Sequence, residues 1–140
     1  MEVDMNRGSR LGLVLIVAIF CLGMGGLGGH PDGTTPETDV NIQAEVNDRG
    51  GVTTSLERFS MAGKISLDAW RGKGKLTIPF ENIDMITFGE NAGDAVVVDV
   101  KLKTGETMTL QVRSRAQFYG STGFGAFQIK SKDLALIDFP

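Results

Sequence analysis

From Asp39 onward the chain alternates between apolar and polar residues. In Val40-Asn41-Ile42-Gln43-Ala44-Glu45-Val46 the apolar side chains fall on one face of an extended strand. Asn47-Asp48-Arg49-Gly50-Gly51 then supplies turn residues. The alternation is stronger further on. Val96, Val98, Val100 and Leu102 share one face, against Asp99, Lys101 and Lys103. After Thr104-Gly105, Met108, Leu110 and Val112 resume the apolar face, against Thr107, Thr109, Gln111 and Arg113. This pattern predicts a hairpin in a sheet that is wet on one side. No stretch after residue 30 carries apolar residues at helical spacing for three turns.

A second regularity runs across the two halves. Residues 74–88, GKLTIPFENIDMITF, align without a gap on residues 125–139, GAFQIKSKDLALIDF. Leu76 falls on Phe127, Ile78 on Ile129, Ile83 on Leu134, Ile86 on Ile137 and Phe88 on Phe139. Apolar positions match while polar ones drift, as expected of segments that fill equivalent places in a core. In each block a strand leads to a tight turn, at Phe80-Glu81-Asn82 or Ser131-Lys132-Asp133, and then to a second strand. The expectation is an all-β domain over residues 39–140, of about eight strands in two similar units, 39–88 and 94–139. A unit of about 50 residues buries too little surface to stand alone easily. The two are therefore expected to share one core, as a small sandwich or closed barrel.

Before this domain, Leu11 to Leu22 read LGLVLIVAIFCL, preceded by Arg7 and Arg10 and followed by GMGGLGG. A basic start, an apolar run and a small-residue end describe a secretory signal over residues 1–29. Read from Leu11 to Gly29, the run is also long enough for a short membrane-spanning helix with its arginines on the cytoplasmic side. Residues 30–38, rich in Pro and Thr, form a linker. Either reading places the β domain outside the cytoplasm, in the periplasm or anchored to the inner membrane. Gly23 to Gly28 fit GxGxxG, but His30-Pro31-Asp32-Gly33 stops the helix that a dinucleotide site needs.

Composition narrows the chemistry. A net charge of −3 argues against a general nucleic-acid binder. The single cysteine, Cys21, lies in the leader, and the single histidine, His30, in the linker. That leaves no internal disulfide, no Cys/His metal site and no Ser-His-Asp triad in the domain. Gly89-Glu90-Asn91-Ala92-Gly93-Asp94 is rich in oxygen ligands but lacks the spacing of a calcium loop, and reads as the connection between the units. No catalytic residue and no cofactor is expected, and we expect a non-enzymatic module.

Binding is expected through exposed strand edges or through the face of Trp70, Arg71, Lys73 and Lys75. A lone tryptophan beside three cations suits an interface or an anionic ligand. The aligned stretch Ser121-Thr122-Gly123-Phe124-Gly125 has no charge, so the fold itself does not require it. Lysines in this place also blunt edge pairing, with Lys73 and Lys75 on the outward face of a strand.

The pattern Gly72-x-Gly74-x-Leu76-x-Ile78, then Ile83-x-x-Ile86-x-Phe88, resembles repeats in small uncharacterised bacterial envelope proteins with a duplicated β-repeat. In those, an apolar strand ending in Lys-x-Gly, here Leu102-Lys103-Thr104-Gly105, precedes a segment like Gly120 to Phe139. The likeness covers residues 40 to 139. It departs at Val46 to Gly51, where the first unit's turn reads as longer. It implies an exported β domain, and the expected partner is another envelope protein. The alternative is a glycan or small ligand held in a groove between the units.

Overall fold

The computed structural model describes residues 38–140; the expected leader and most of the linker lie outside the described residues. Ten strands form one antiparallel sheet: β1 (Ala44–Asp48), β2 (Thr53–Met61), β3 (Ser66–Arg71), β4 (Gly74–Pro79), β5 (Ile83–Ala92), β6 (Ala95–Leu102), β7 (Thr107–Arg113), β8 (Gln117–Ser121), β9 (Ala126–Lys130) and β10 (Leu134–Asp138). Single 3-10 turns, Phe80–Asn82 and Ser131–Asp133, link β4 to β5 and β9 to β10. Among the described residues, no helix is long and apolar enough to cross a membrane.

The strand order is β4-β3-β7-β6-β5-β10-β1-β2-β8-β9. Shifting every label by five reproduces the same order from the other end. The axis of that relation lies between β5 and β10, which pair through Thr87 with Leu136 and Ile86 with Ile137. The fifteen aligned positions of 74–88 and 125–139 share a burial class at all but two, Ile78/Ile129 and Thr87/Asp138.

Short connections force the sheet to curl. Four residues, Ala62 to Ile65, join β2 to β3, yet these strands stand six places apart in the sheet. Six places in a flat sheet would be about 29 Å, and a link of four residues spans about 17 Å at most. Three residues, Ser114 to Ala116, join β7 to β8 across the same six places. The result is a curled, open half-barrel rather than the eight-stranded sandwich or closed barrel expected. The ten strands exceed the roughly eight expected, and β2, β3 and β8 are those whose mixed composition hides their alternation. β2 also bends between Glu57 and Ser60, where Arg58 has φ 51°. Its first half pairs with β1 and its second half with β8.

The inner face holds one apolar cluster contributed by both halves. Its centre is Phe59 from β2, fully buried. The Phe59 ring lies 5.6 Å from Phe118 and nearly parallel to it, 5.2 Å from Phe80, and 5.7 Å edge-on from Phe139. Val96, Val98, Val100, Leu110 and Val112 point inward as the alternation requires. Close approach of β8 to β2 leaves no room at Gly120, where a Cβ would stand 2.9 Å from that of Leu56.

Two turns correct the sequence reading. Gly89 to Ala92 belong to β5, and the connection is only Gly93-Asp94, with Gly93 at φ 65°. Asp48 to Val52 make the same turn as Leu102 to Glu106. Asp48 N donates to Val52 O as Leu102 N does to Glu106 O, and Gly51 N to Asp48 O as Gly105 N does to Leu102 O. The first turn is therefore no longer than the second. It is further tied by Arg49, whose Nε donates to Lys132 O (2.7 Å) and Nη2 to Gly89 O (2.6 Å).

Truncating Phe59 to alanine is expected to cost about 3–5 kcal/mol in chemical denaturation, because its three aromatic neighbours cannot collapse into the space. Ile78→Ala should cost more than Ile129→Ala, since Ile129 is only partly buried. Ala62 and Gly63, at φ 53° and 84°, occupy a turn that favours Asn-Gly. Ala62→Asn should therefore raise stability by about 0.5–1 kcal/mol in the same assay.

Candidate functional site

Period-two geometry divides the expected patch. On β3, Leu67 and Ala69 point into the core, so Asp68 and Trp70 face outward. Lys75 pairs with Trp70 across the hairpin and shares that face. Arg71 alternates to the opposite face at the strand end. Lys73 sits in the two-residue turn Gly72-Lys73 at the hairpin tip, not on a strand face. The structure thus joins Trp70 and Lys75 and separates Arg71 and Lys73 from them.

A fifth residue completes the surface. β7 pairs with β3 at Gln111 and Trp70, which brings Arg113 diagonally over the indole. The Arg113 Cζ lies 4.9 Å from the Trp70 ring centroid and the Lys75 Nζ 6.0 Å from it. Both lie within the range where a cation is drawn to the negative face of an aromatic ring. Arg113 is 43 positions from Trp70 in the chain, and only the β3–β7 pairing brings them together. The outward alternation of β7 was the one signal for it. Beside the indole runs a shallow, open cleft of about 510 Å³, lined by Trp70, Asp94, Gln111, Arg113, Ser114 and Arg115. A basic, aromatic spot therefore stands on a chain of net charge −3.

Asp68 organises the neighbouring row. The Thr77 hydroxyl donates to it at 3.0 Å, and Lys64 and Lys75 lie 3.3 and 3.7 Å away. Burial opposes ionisation of Asp68. The Thr77 and Lys64 hydrogen bonds and the two lysine charges outweigh it and hold the carboxyl below its ordinary value. Such exposed pairs add little to stability, but they fix Lys75 beside Trp70. The other oxygen-rich residues do not converge. Among the described residues, no group of three or more His, Cys, Asp or Glu side chains is placed to hold a metal ion.

The fold and this surface define a class: an open, all-β half-barrel with an aromatic-cationic spot on its wet face. The model of a family described as "Uncharacterised protein" matches residues 38–139, and the chain belongs to that family. The match spans the whole β domain. A search of curated proteins finds no match to the chain.

The depressed value of Asp68 has a signed consequence. Its stabilisation is fully present above the unfolded carboxyl's value, near pH 4, and is lost as the pH falls through the lower folded value. The stability gap between the parent and Asp68→Asn should be constant from about pH 7 to 5 and should shrink below about pH 4. Urea unfolding across that range checks it; a gap that widens in acid contradicts the assignment.

Proposed function

We propose that this protein is a non-enzymatic β module outside the cytoplasm, secreted or held at the membrane by its leader, that binds another envelope protein. The observation that carries the reading is half-buried Trp70 flanked by Arg113 and Lys75 on the outward sheet face. Tryptophan and arginine are the residues that most often dominate the energy of protein interfaces. The surface suits an acidic segment of the partner, laid across the indole with its carboxylates near Arg113, Arg115 and Lys75. Two tandem β units sharing one core supply a rigid platform for it. Arg71 and Lys73, at the nearby hairpin tip, steer the approach rather than form the contact.

A glycan or small ligand is the second reading, favoured by the cleft beside Trp70, where an indole can stack on a sugar ring. The shallow opening suits a broad protein surface better than a ligand that must be enclosed.

The test is a photo-crosslinking amino acid in place of Gln111, in cells producing the full chain. One envelope protein should be attached, and Arg113→Ala or Trp70→Ala should reduce the adduct about tenfold or more, as for a hot-spot residue. Adducts that survive both substitutions overturn the reading. Quenching of Trp70 fluorescence by an acidic glycan, without a protein adduct, selects the second.

A further inference from the structure

We propose that the free edge of β9 is where a second copy of this chain docks, strand to strand and antiparallel, with Gln128 on the twofold axis. Among the described residues, no strand pairs with the outer edges of β4 and β9, which end the sheet. Unpaired edges invite another chain, and proteins protect those that must stay alone. The two edges differ in that respect.

Hydrogen bonds at the ends of the hairpins tell which backbone groups point outward. Thr122 N donates to Gly125 O and Ser131 N to Ala116 O, so both residue pairs are bonded pairs. Alternation then turns the amides and carbonyls of Ala126, Gln128 and Lys130 away from β8. On the other hairpin Phe80 N donates to Ile65 O, which turns Lys75, Thr77 and Pro79 outward. Pro79 lacks an N–H at one of those outward positions, so β4 cannot complete a ladder. Its counterpart on β9 is Lys130, which keeps its donor.

The β9 edge is also self-complementary. Keeping each face of the sheet continuous requires that like faces meet, and pairing all five residues selects a single register. Gln128 then meets Gln128 of the second copy, Phe127 meets Ile129, and Ala126 meets Lys130. About six main-chain hydrogen bonds form, from three bonded pairs. Phe127 and Ile129, half-exposed at present, cover one another. Each lysine faces an alanine, so no like charges oppose. The same register carries Phe124, fully exposed at the β8–β9 tip, to the second copy's Lys132. There it stands at a 410 Å³ cleft lined in part by Arg49, Ile129, Lys130 and Asp133. This inference is independent of the Trp70 surface.

The test uses the full chain with Cys21→Ser, which removes the only cysteine. Gln128→Cys, treated with a short bifunctional thiol reagent, should yield a covalent dimer of the chain. Thr77→Cys, the corresponding site on β4, should yield none. Ala126→Lys opposes two lysine pairs across the axis and should lower the yield roughly five- to tenfold. Adding Lys130→Glu to it should restore the dimer, and Trp70→Ala should leave it unchanged. Thr77, Ala126, Gln128 and Lys130 are exposed, so the fold is retained. The proposal is overturned if position 128 gives no dimer or links only to other proteins. It is equally overturned if positions 77 and 128 link alike, or if Ala126→Lys leaves the yield unchanged.

Discussion

Two connections too short for a flat sheet shape the rest of this molecule. Ala62 to Ile65 and Ser114 to Ala116 each join strands six places apart, and the sheet satisfies them only by curling. Curling turns one face inward on itself, so a single sheet encloses a core without a second layer. Phe59 stands at the centre of that core because β2 bends at Arg58, just where it leaves β1 for β8. The aromatic contacts from Phe59 to Phe80, Phe118 and Phe139 span both halves of the chain. Neither half has a complete core by itself.

The same constraint crosses the two halves over each other. Hairpin β3–β4 pairs with β7, and hairpin β8–β9 pairs with β2. Apolar positions that face the core recur between 74–88 and 125–139, as at Ile83 and Leu134, Ile86 and Ile137, Phe88 and Phe139. Most positions that differ in chemistry lie on the surface or the edges, the buried pair Phe80 and Ser131 excepted. Trp70 corresponds to Ser121, Lys73 to Phe124, Lys75 to Ala126 and Pro79 to Lys130. Packing demands the likeness, and water permits the difference. A protein built this way can give one end of its sheet an aromatic-cationic surface and leave the other end an open edge.

The candidate surface was half legible in the chain. Trp70 and Lys75 stood out as an aromatic beside cations, and the hairpin set them side by side. Arg71 and Lys73 were drawn in by proximity in sequence, which a pleat and a turn then undo. Arg113 could not be placed by any local rule, because its contact depends on the single pairing of Trp70 with Gln111. Strands β6 and β7 were visible because apolar residues recur at every second place, and β5 and β10 because Ile83, Ile86 and Phe88 align with Leu134, Ile137 and Phe139. β2, β3 and β8 were not, since Thr, Ser, Glu, Gly and Gln interrupt that rhythm and their burial arises on only part of each strand.

By itself the sequence determined the all-β class, the period-two alternation and the inward faces of the valine-rich hairpin. These are local matters, settled by which side of a pleat a residue occupies. Strand order, curl, the identity of the free edges and the meeting of Arg113 with Trp70 were decided only in three dimensions. Each depends on which distant strands exchange hydrogen bonds, and backbone amides and carbonyls are the same in every residue but proline, so the side-chain pattern does not encode their choice of partner.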